Sequence, residues 1–138
     1  MIHKHIDSNQ LNQFCKNSLV SHLGILFFTD ENNLMARMPV SKNHLQPMGI
    51  LHGGASLALA ETLGSAYSYL LIDPEKFDIV GINMQANHVG SISEGWVIAC
   101  CKPVHVGTKT HIIDIIISDE NDRKISICRL TNMLIEKK

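Results

Sequence analysis

The run Ala55–Ile72, ASLALAETLGSAYSYLLI, constrains this chain more than any other stretch. Seventeen of its eighteen residues are apolar, small or neutral polar, and the remaining one is Glu61. It follows Gln46-Pro-Met-Gly-Ile-Leu-His-Gly-Gly54 and stops at Asp73-Pro74. Proline cannot continue a helical ladder, so the spacing predicts one long helix from Gly53–Gly54 to about Ile72. A helix that is apolar nearly all round must be covered by a sheet or by a partner chain. A carboxylate buried within it has to be paired, hydrogen-bonded or used chemically.

The flanking segments supply the cover. Asp7 or Ser8 caps a predicted short helix reaching about Cys15. Leu23–Thr29 and Leu34–Val40 read as a hairpin around Asp30-Glu-Asn-Asn33, and Pro39 and Pro47 bracket a loop. After the long helix the period falls to two: Ile82, Met84, Ala86 and His88 alternate with polar residues. Gly95–Val106, Lys109–Ser118 and Lys124–Ile135 read as further strands, with turns at Gly107 and Glu120–Asp122. Five isoleucines surround Asp114 in Ile112–Ile117, which predicts a strand covered on both faces. One long helix and about six antiparallel strands make an α+β domain, read as a single unit over 1–138.

Composition narrows the function classes. A formal net charge of −1 gives no pull toward nucleic acid or an anionic membrane surface. Cys15, Cys100, Cys101 and Cys128 form no C-x-x-C pair, so they read as buried thiols of a reducing compartment. The N-terminus lacks the apolar core of a signal peptide, and Glu61 with five Ser, Thr or Gly residues makes Ala55–Ile72 a poor membrane span. The expectation is a soluble, cytoplasmic protein. Eight histidines invite a metal reading, but no H-E-x-x-H or paired Cys/His spacing is present, and no metal is expected. His3 and His5 sit in the N-terminal tail and carry no predicted role.

The chemistry concentrates at the helix start. Backbone N–H groups of His52-Gly53-Gly54 lack intrahelical partners and lie at the positive end of the helix dipole. They can hold an anion or the oxyanion of an acyl-transfer intermediate; equally, two glycines can merely begin a helix. Glu61 is either a structural partner for Arg37 or Arg129, or a functional acid. Gly53 and Glu61 lie about 12 Å apart along a helix, too far for both to reach one carbonyl. Two antiparallel copies can bring them together, which predicts a dimer with composite sites. Ser65 lies one turn after Glu61, beside Thr62, and either positions a water, holds the carboxylate or simply packs. Gln46 can donate its amide to a carbonyl. His88 falls on the apolar face of its strand, as a core histidine or a ligand contact. Lys102, His105, Lys109 and His111 cluster near Gly107, where a turn can hold phosphate or be a solvated hairpin tip.

These residues, in this order, resemble the hotdog-fold acyl-CoA thioesterases. The segments are Gln46–Ser56, Ala60-Glu61, Gly64-Ser65, Asn87-His88-Val89 and Cys101–Gly107. The pattern is similar to the branch containing phenylacetate-pathway and 4-hydroxybenzoyl-CoA enzymes, and most to the bacterial 1,4-dihydroxy-2-naphthoyl-CoA hydrolases. The similarity runs from about Gly24 to Leu134.

The resemblance implies a helix wrapped by a curved antiparallel sheet, a homodimer with a continuous sheet, and often a dimer of dimers. It implies Glu61 as nucleophile or general base, and Gly53 N–H, aided by His52 and Gln46, as the group polarising the thioester carbonyl. Thr62 and Ser65 would line the acyl pocket. Gly81, the segment His88, Val89, Gly90 and Ser91, and the segment His105, Val106, Gly107, Thr108, Lys109 and Thr110 would contact coenzyme A. Relatives tend to carry a basic residue after the His-Val pair, whereas this chain has Gly90, which shifts phosphate binding toward Lys109 and Lys102. Met48, Leu51, Tyr67, Tyr69 and Met84 are candidate acyl-pocket walls.

The expected function is hydrolysis of an acyl-CoA thioester, with an aromatic acyl group, and no cofactor beyond the coenzyme A of the substrate. The alternatives are a medium-chain fatty acyl-CoA thioesterase, a non-catalytic acyl-CoA-binding module, and, with no matching motif, a dehydratase on the same scaffold.

Overall fold

A computed structural model describes residues 7–138; His3 and His5 lie outside them. The chain forms a short helix α1 (Ser8–Phe14), a four-residue helix α2 (Leu19–His22), and a hairpin of β1 (Leu26–Asp30) and β2 (Asn33–Val40). A 3-10 turn (Lys42–His44) leads to the long helix α3 (Gly53–Tyr69), followed by β3 (Phe77–His88), β4 (Gly95–Val106), β5 (Thr110–Asp119) and β6 (Lys124–Glu136). The six strands make one sheet in the order β1-β2-β4-β5-β6-β3, every pairing antiparallel.

Local sequence explains the joints. Asp7 accepts a bond from Gln10 N–H at 3.1 Å and starts α1. Glu31 and Asn32 adopt φ of 46° and 68°, the paired left-handed residues of a tight hairpin turn, which joins β1 to β2. Helix α2 is too short to show a period, so only its Ser18 capping box announces it. Pro39, expected at a loop edge, lies inside β2.

Helix α3 buries Leu59, Ala60, Leu63 and Gly64 against the sheet. Facing it are Ile113, Ile115 and Ile117 of β5 and Leu130 of β6, all fully buried. Apolar area removed from water along this seam, at about 25 cal/mol per Å², is the main force holding helix to sheet. Two surfaces stay open within one protomer. Strand β5 is covered on one face only: Ile116 stays 39% exposed on the outer face, where Asp114 pairs with Arg129 at 2.6 Å. Helix α3 is likewise covered on one side, and Glu61 on its other side is exposed rather than buried.

Strand β3 begins at Phe77, five residues before the alternation at Ile82 suggests, because its ladder to β6 slips between Gly81 and Asn83. That bulge puts two residues opposite one and breaks the period. Ile82, read as inward, is therefore 54% exposed. Among the described residues, no helix is long and apolar enough to cross a membrane.

Candidate active site

The loop entering α3 is stapled by a residue that the sequence does not single out. The His44 ring is buried; its Nε2 meets Leu23 O at 2.6 Å and its Nδ1 meets Ser41 Oγ at 2.8 Å. His44 O accepts from His52 N–H at 2.8 Å. The start of α3 is thereby tied to the α2–β1 junction.

His52 caps α3 with its side chain. Nδ1 accepts the Gly54 N–H at 2.7 Å, which places the neutral ring's proton on Nε2. The Gly53 N–H has no acceptor among the described residues, and it stands at the positive end of a 17-residue helix. The Gln46 side-chain oxygen accepts from Met48 N–H within its own turn, so its NH₂ remains the free donor. Beside them lies His88. A Cβ on Gly53 would come within 2.6 Å of His88 Nε2, so only glycine leaves room for the ring. Ser126 Oγ braces His88 Nδ1 at 2.7 Å. His88 keeps the inward face of Met84 and Ala86 that its spacing predicts, but it lies at the open end of β3 and is exposed there. Gln46, Gly53, His88, Val89, Gly90 and Ser91 thus come together and line one recess of about 610 Å³, with Leu51 and Arg123 among its other walls.

Glu61, Thr62 and Ser65 line a different cavity, a groove of about 910 Å³ between α3 and the N-terminal helices. Phe14, Phe27 and Tyr69 are among its walls. The Glu61 carboxylate lies over Gly81 at the β3 bulge, in the space that a side chain at 81 would take. Gly81, expected at coenzyme A, therefore sits beneath the acid. Neither suggested arginine reaches Glu61. Arg129 holds Asp114, and Arg37 stacks over Trp96 at 4.9 Å.

Ser65 does not hold the Glu61 carboxylate either. Its hydroxyl donates to Asn132 Oδ1 at 3.4 Å. Asn132 is fully buried and spends its NH₂ on Ser68 Oγ at 2.8 Å and Gly64 O at 3.3 Å. Its orientation is thus set, and Ser65 faces the groove with lone pairs. Asn132 was detectable in the sequence, as a polar residue at an inward position of β6 after Cys128 and Leu130. Next to it in the ladder is His111 of β5. Burial depresses the pKa of His111, the nearby His105 adds to the effect, and a hydrogen bond to the Gly107 backbone opposes it. His111 Nδ1 is buried with no partner among the described residues.

The remaining expected contacts lie elsewhere in the protomer. The segment His105–Thr110 forms the β4–β5 turn, closed by Gly107 N–H to Thr110 O at 2.9 Å. It lines neither cavity and sits at the Gly81 end of the sheet, far from His88. Lys102 is opposite Asp114 on the outer face of the sheet, away from the recess of its own protomer. Tyr67 and Met84 pack against the core instead of walling a cavity; Met48 is 79% exposed on its turn. Burial pushes the Cys101 thiol up to about 12, with the neighbouring Cys100 adding to it and a hydrogen bond within its own backbone opposing, so Cys101 is not a nucleophile. No three His, Cys, Asp or Glu side chains among the described residues gather to hold a metal ion.

Comparison with known proteins decides the class. The profile described as Thioesterase superfamily matches residues 48–126, which contain every described wall of the recess except Gln46, together with Glu61 and the β3 bulge. The chain belongs to the thioesterase superfamily. A Pseudomonas aeruginosa protein named as a candidate esterase is 42% identical over 130 residues, covering 94% of this chain and 90% of that protein. The crystal structure of a glutamine-to-alanine mutant of a P. aeruginosa thioesterase superposes with a TM-score of 0.95 at 39% identity, over 98% of both chains. A Haemophilus influenzae thioesterase gives 0.93 at 37% identity, over 99% of this chain and 96% of the other. The architecture is the hotdog fold, and the protein is a thioester hydrolase.

Proposed function

We propose that this thioesterase hydrolyses acyl-CoA thioesters, with an aromatic acyl group as preferred substrate, at sites shared between two copies of the chain. The observation that carries the reading is the split of the machinery within one protomer. The donors line the recess at Gly53, while the acid lines a separate groove. Along one helix they stand about 12 Å apart, so one carbonyl cannot meet both in the same chain.

Strand β3 supports the pairing. It is a 12-residue edge strand with β6 on one side only, and Val80 and Ile82 stay exposed along it. A long unprotected edge invites a second strand. Edge-to-edge pairing about a two-fold axis would set two α3 helices antiparallel and bring Glu61 of one copy toward Gly53 of the other. Two such dimers packing further is consistent with Ile116, Ile127 and Met133 exposed on the outer face.

In this site the Gly53 N–H and the Gln46 amide hold the thioester oxygen. Glu61 acts as general base, a role that Ser65 favours over direct attack. The Ser65 proton is committed to Asn132, so Ser65 and Glu61 both present acceptors, and what fits between two acceptors is a water with two protons. Glu61 takes one proton as the water oxygen bonds to the carbonyl carbon. The oxyanion then collapses, and the C–S bond breaks with coenzyme A leaving as a thiolate that takes up the proton. The groove walls Phe14, Phe27 and Tyr69 suit an aryl group, as in the hydroxynaphthoyl-CoA branch. The test is a kinetic panel of aromatic and aliphatic CoA thioesters. Higher kcat/KM on aryl-CoA is expected; a strong preference for medium-chain fatty acyl-CoA would sink the aromatic assignment.

A further inference from the structure

We infer that Arg123, on the turn between β5 and β6, is the phosphate-binding residue of the recess, in place of a basic residue at position 90. The inference rests on reading coenzyme A as the leaving group. Position 90 is closed to side chains by the fold itself. A Cβ there would lie 2.5 Å from Lys124 O, a rigid strand atom, and 3.1 Å from Arg123 Nη1. Gly90 thus leaves the guanidinium uncovered at the wall of the recess that also holds Gly53, His88 and Ser91.

The turn holds Arg123 in one pose. Asp119 accepts from its backbone N–H at 2.9 Å and from Nε at 3.1 Å. Asp119 N–H donates back to Arg123 O at 2.9 Å. Nη2 donates to Ser91 O at 2.6 Å, which also fixes the far lip of the recess. Two of the five guanidinium N–H groups are used this way, and three remain for a ligand. The side chain is 53% exposed while Asp119 is 11% exposed, so the acid is tucked behind and the cation fronts the solvent. A planar, pre-oriented fork with free N–H groups is suited to a phosphoryl group, which it can bind bidentately. The chain therefore has a continuous track: thioester oxygen at Gly53, pantetheine past His88 and Val89, and a phosphate of coenzyme A at Arg123.

The test is Arg123→Gln assayed on one acyl group carried as the CoA thioester, the 3′-dephospho-CoA thioester and the pantetheine thioester, which has no phosphate. KM for the CoA thioester is expected to rise roughly tenfold to hundredfold, as for loss of a charge-assisted bond. kcat should stay within about twofold, and the pantetheine thioester should be unaffected. Arg123→Lys should recover part of the CoA affinity. A penalty that vanishes with either truncated carrier supports the contact and names the phosphate. Equal losses on all three carriers would reduce Arg123 to a turn staple and overturn the inference. Titration calorimetry with free coenzyme A reads the contact without turnover, and an unchanged Kd in Arg123→Gln overturns it as well. Failure of the wild type to hydrolyse any thioester would refute the proposed function separately, leaving the calorimetry to decide Arg123.

Discussion

The first turn of α3 and its middle differ in hydrogen-bonding sign. Around Gly53 the free groups donate: the Gly53 N–H and the Gln46 amide, whose oxygen is occupied by Met48. Around Glu61 the free groups accept: a carboxylate and a Ser65 oxygen whose proton is given to Asn132. A carbonyl gathering negative charge needs the first set; a water losing a proton needs the second. On the proposed mechanism each region supplies half of an acyl-transfer site, and the length of helix between them is the ground for proposing that two chains share it.

Removing the acceptor side should have the largest effect. Glu61→Gln keeps the shape and takes away the base, and kcat should fall by roughly 10²–10⁴ with KM and the circular dichroism spectrum nearly unchanged. Loss of less than tenfold would remove Glu61 from the mechanism. Gln46→Ala removes a donor on the other side and should lower kcat by about 10²–10³. Mixing these two inactive variants after unfolding tests the shared site directly. Random re-pairing leaves one intact site in each mixed dimer, so about one quarter of wild-type activity should return. No recovery would mean that both residues serve one site within one chain.

Smaller effects refine the acceptor side. Gly81→Ala places a methyl group where the Glu61 carboxylate lies, and a displacement of about 1 Å should cost up to roughly a hundredfold in kcat. The variant should still bind coenzyme A with wild-type affinity, since Gly81 stands beneath the acid and away from the recess. The mildest change concerns stability. His111 has a folded-state pKa below its unfolded value because it is buried. The unfolded chain therefore binds more protons, and stability is full above about pH 6.5 and is lost as pH falls toward the folded value. The Tm of the wild type should drop between pH 7 and pH 5, and His111→Leu should flatten that slope by a few degrees. An identical slope in the variant would assign the acid sensitivity to other groups.

Much of this was readable from order and period. The Asp30–Asn33 turn and the strands Gly95–Val106 and Lys124–Ile135 follow from local chemistry, and the structure agrees to within a residue or two, whereas α3 ends at Tyr69, short of the expected Ile72. Errors arose where local rules are broken. The Gly81/Asn83 slip shifts β3 out of a simple alternation, which misplaced Ile82 and hid the start at Phe77. Helix α2 has four residues, fewer than a helical period can reveal. Arg123 and Ser91 are separated by 32 positions, and no short-range pattern joins them.

By itself the sequence determined that a long apolar helix with one acid would follow a glycine-rich turn, because proline stops, glycine starts and hydrophobic period act over a few residues. It also determined that Gly53 and Glu61 could not meet on their own helix, since the rise per residue is a constant of the backbone. Only the tertiary structure decided that Glu61 stands exposed over Gly81, that Asn132 turns Ser65 into an acceptor, and that Arg123 fronts the recess at Gly90. Those facts depend on which strand lies beside which, and ladder register is set by the packing of the whole sheet.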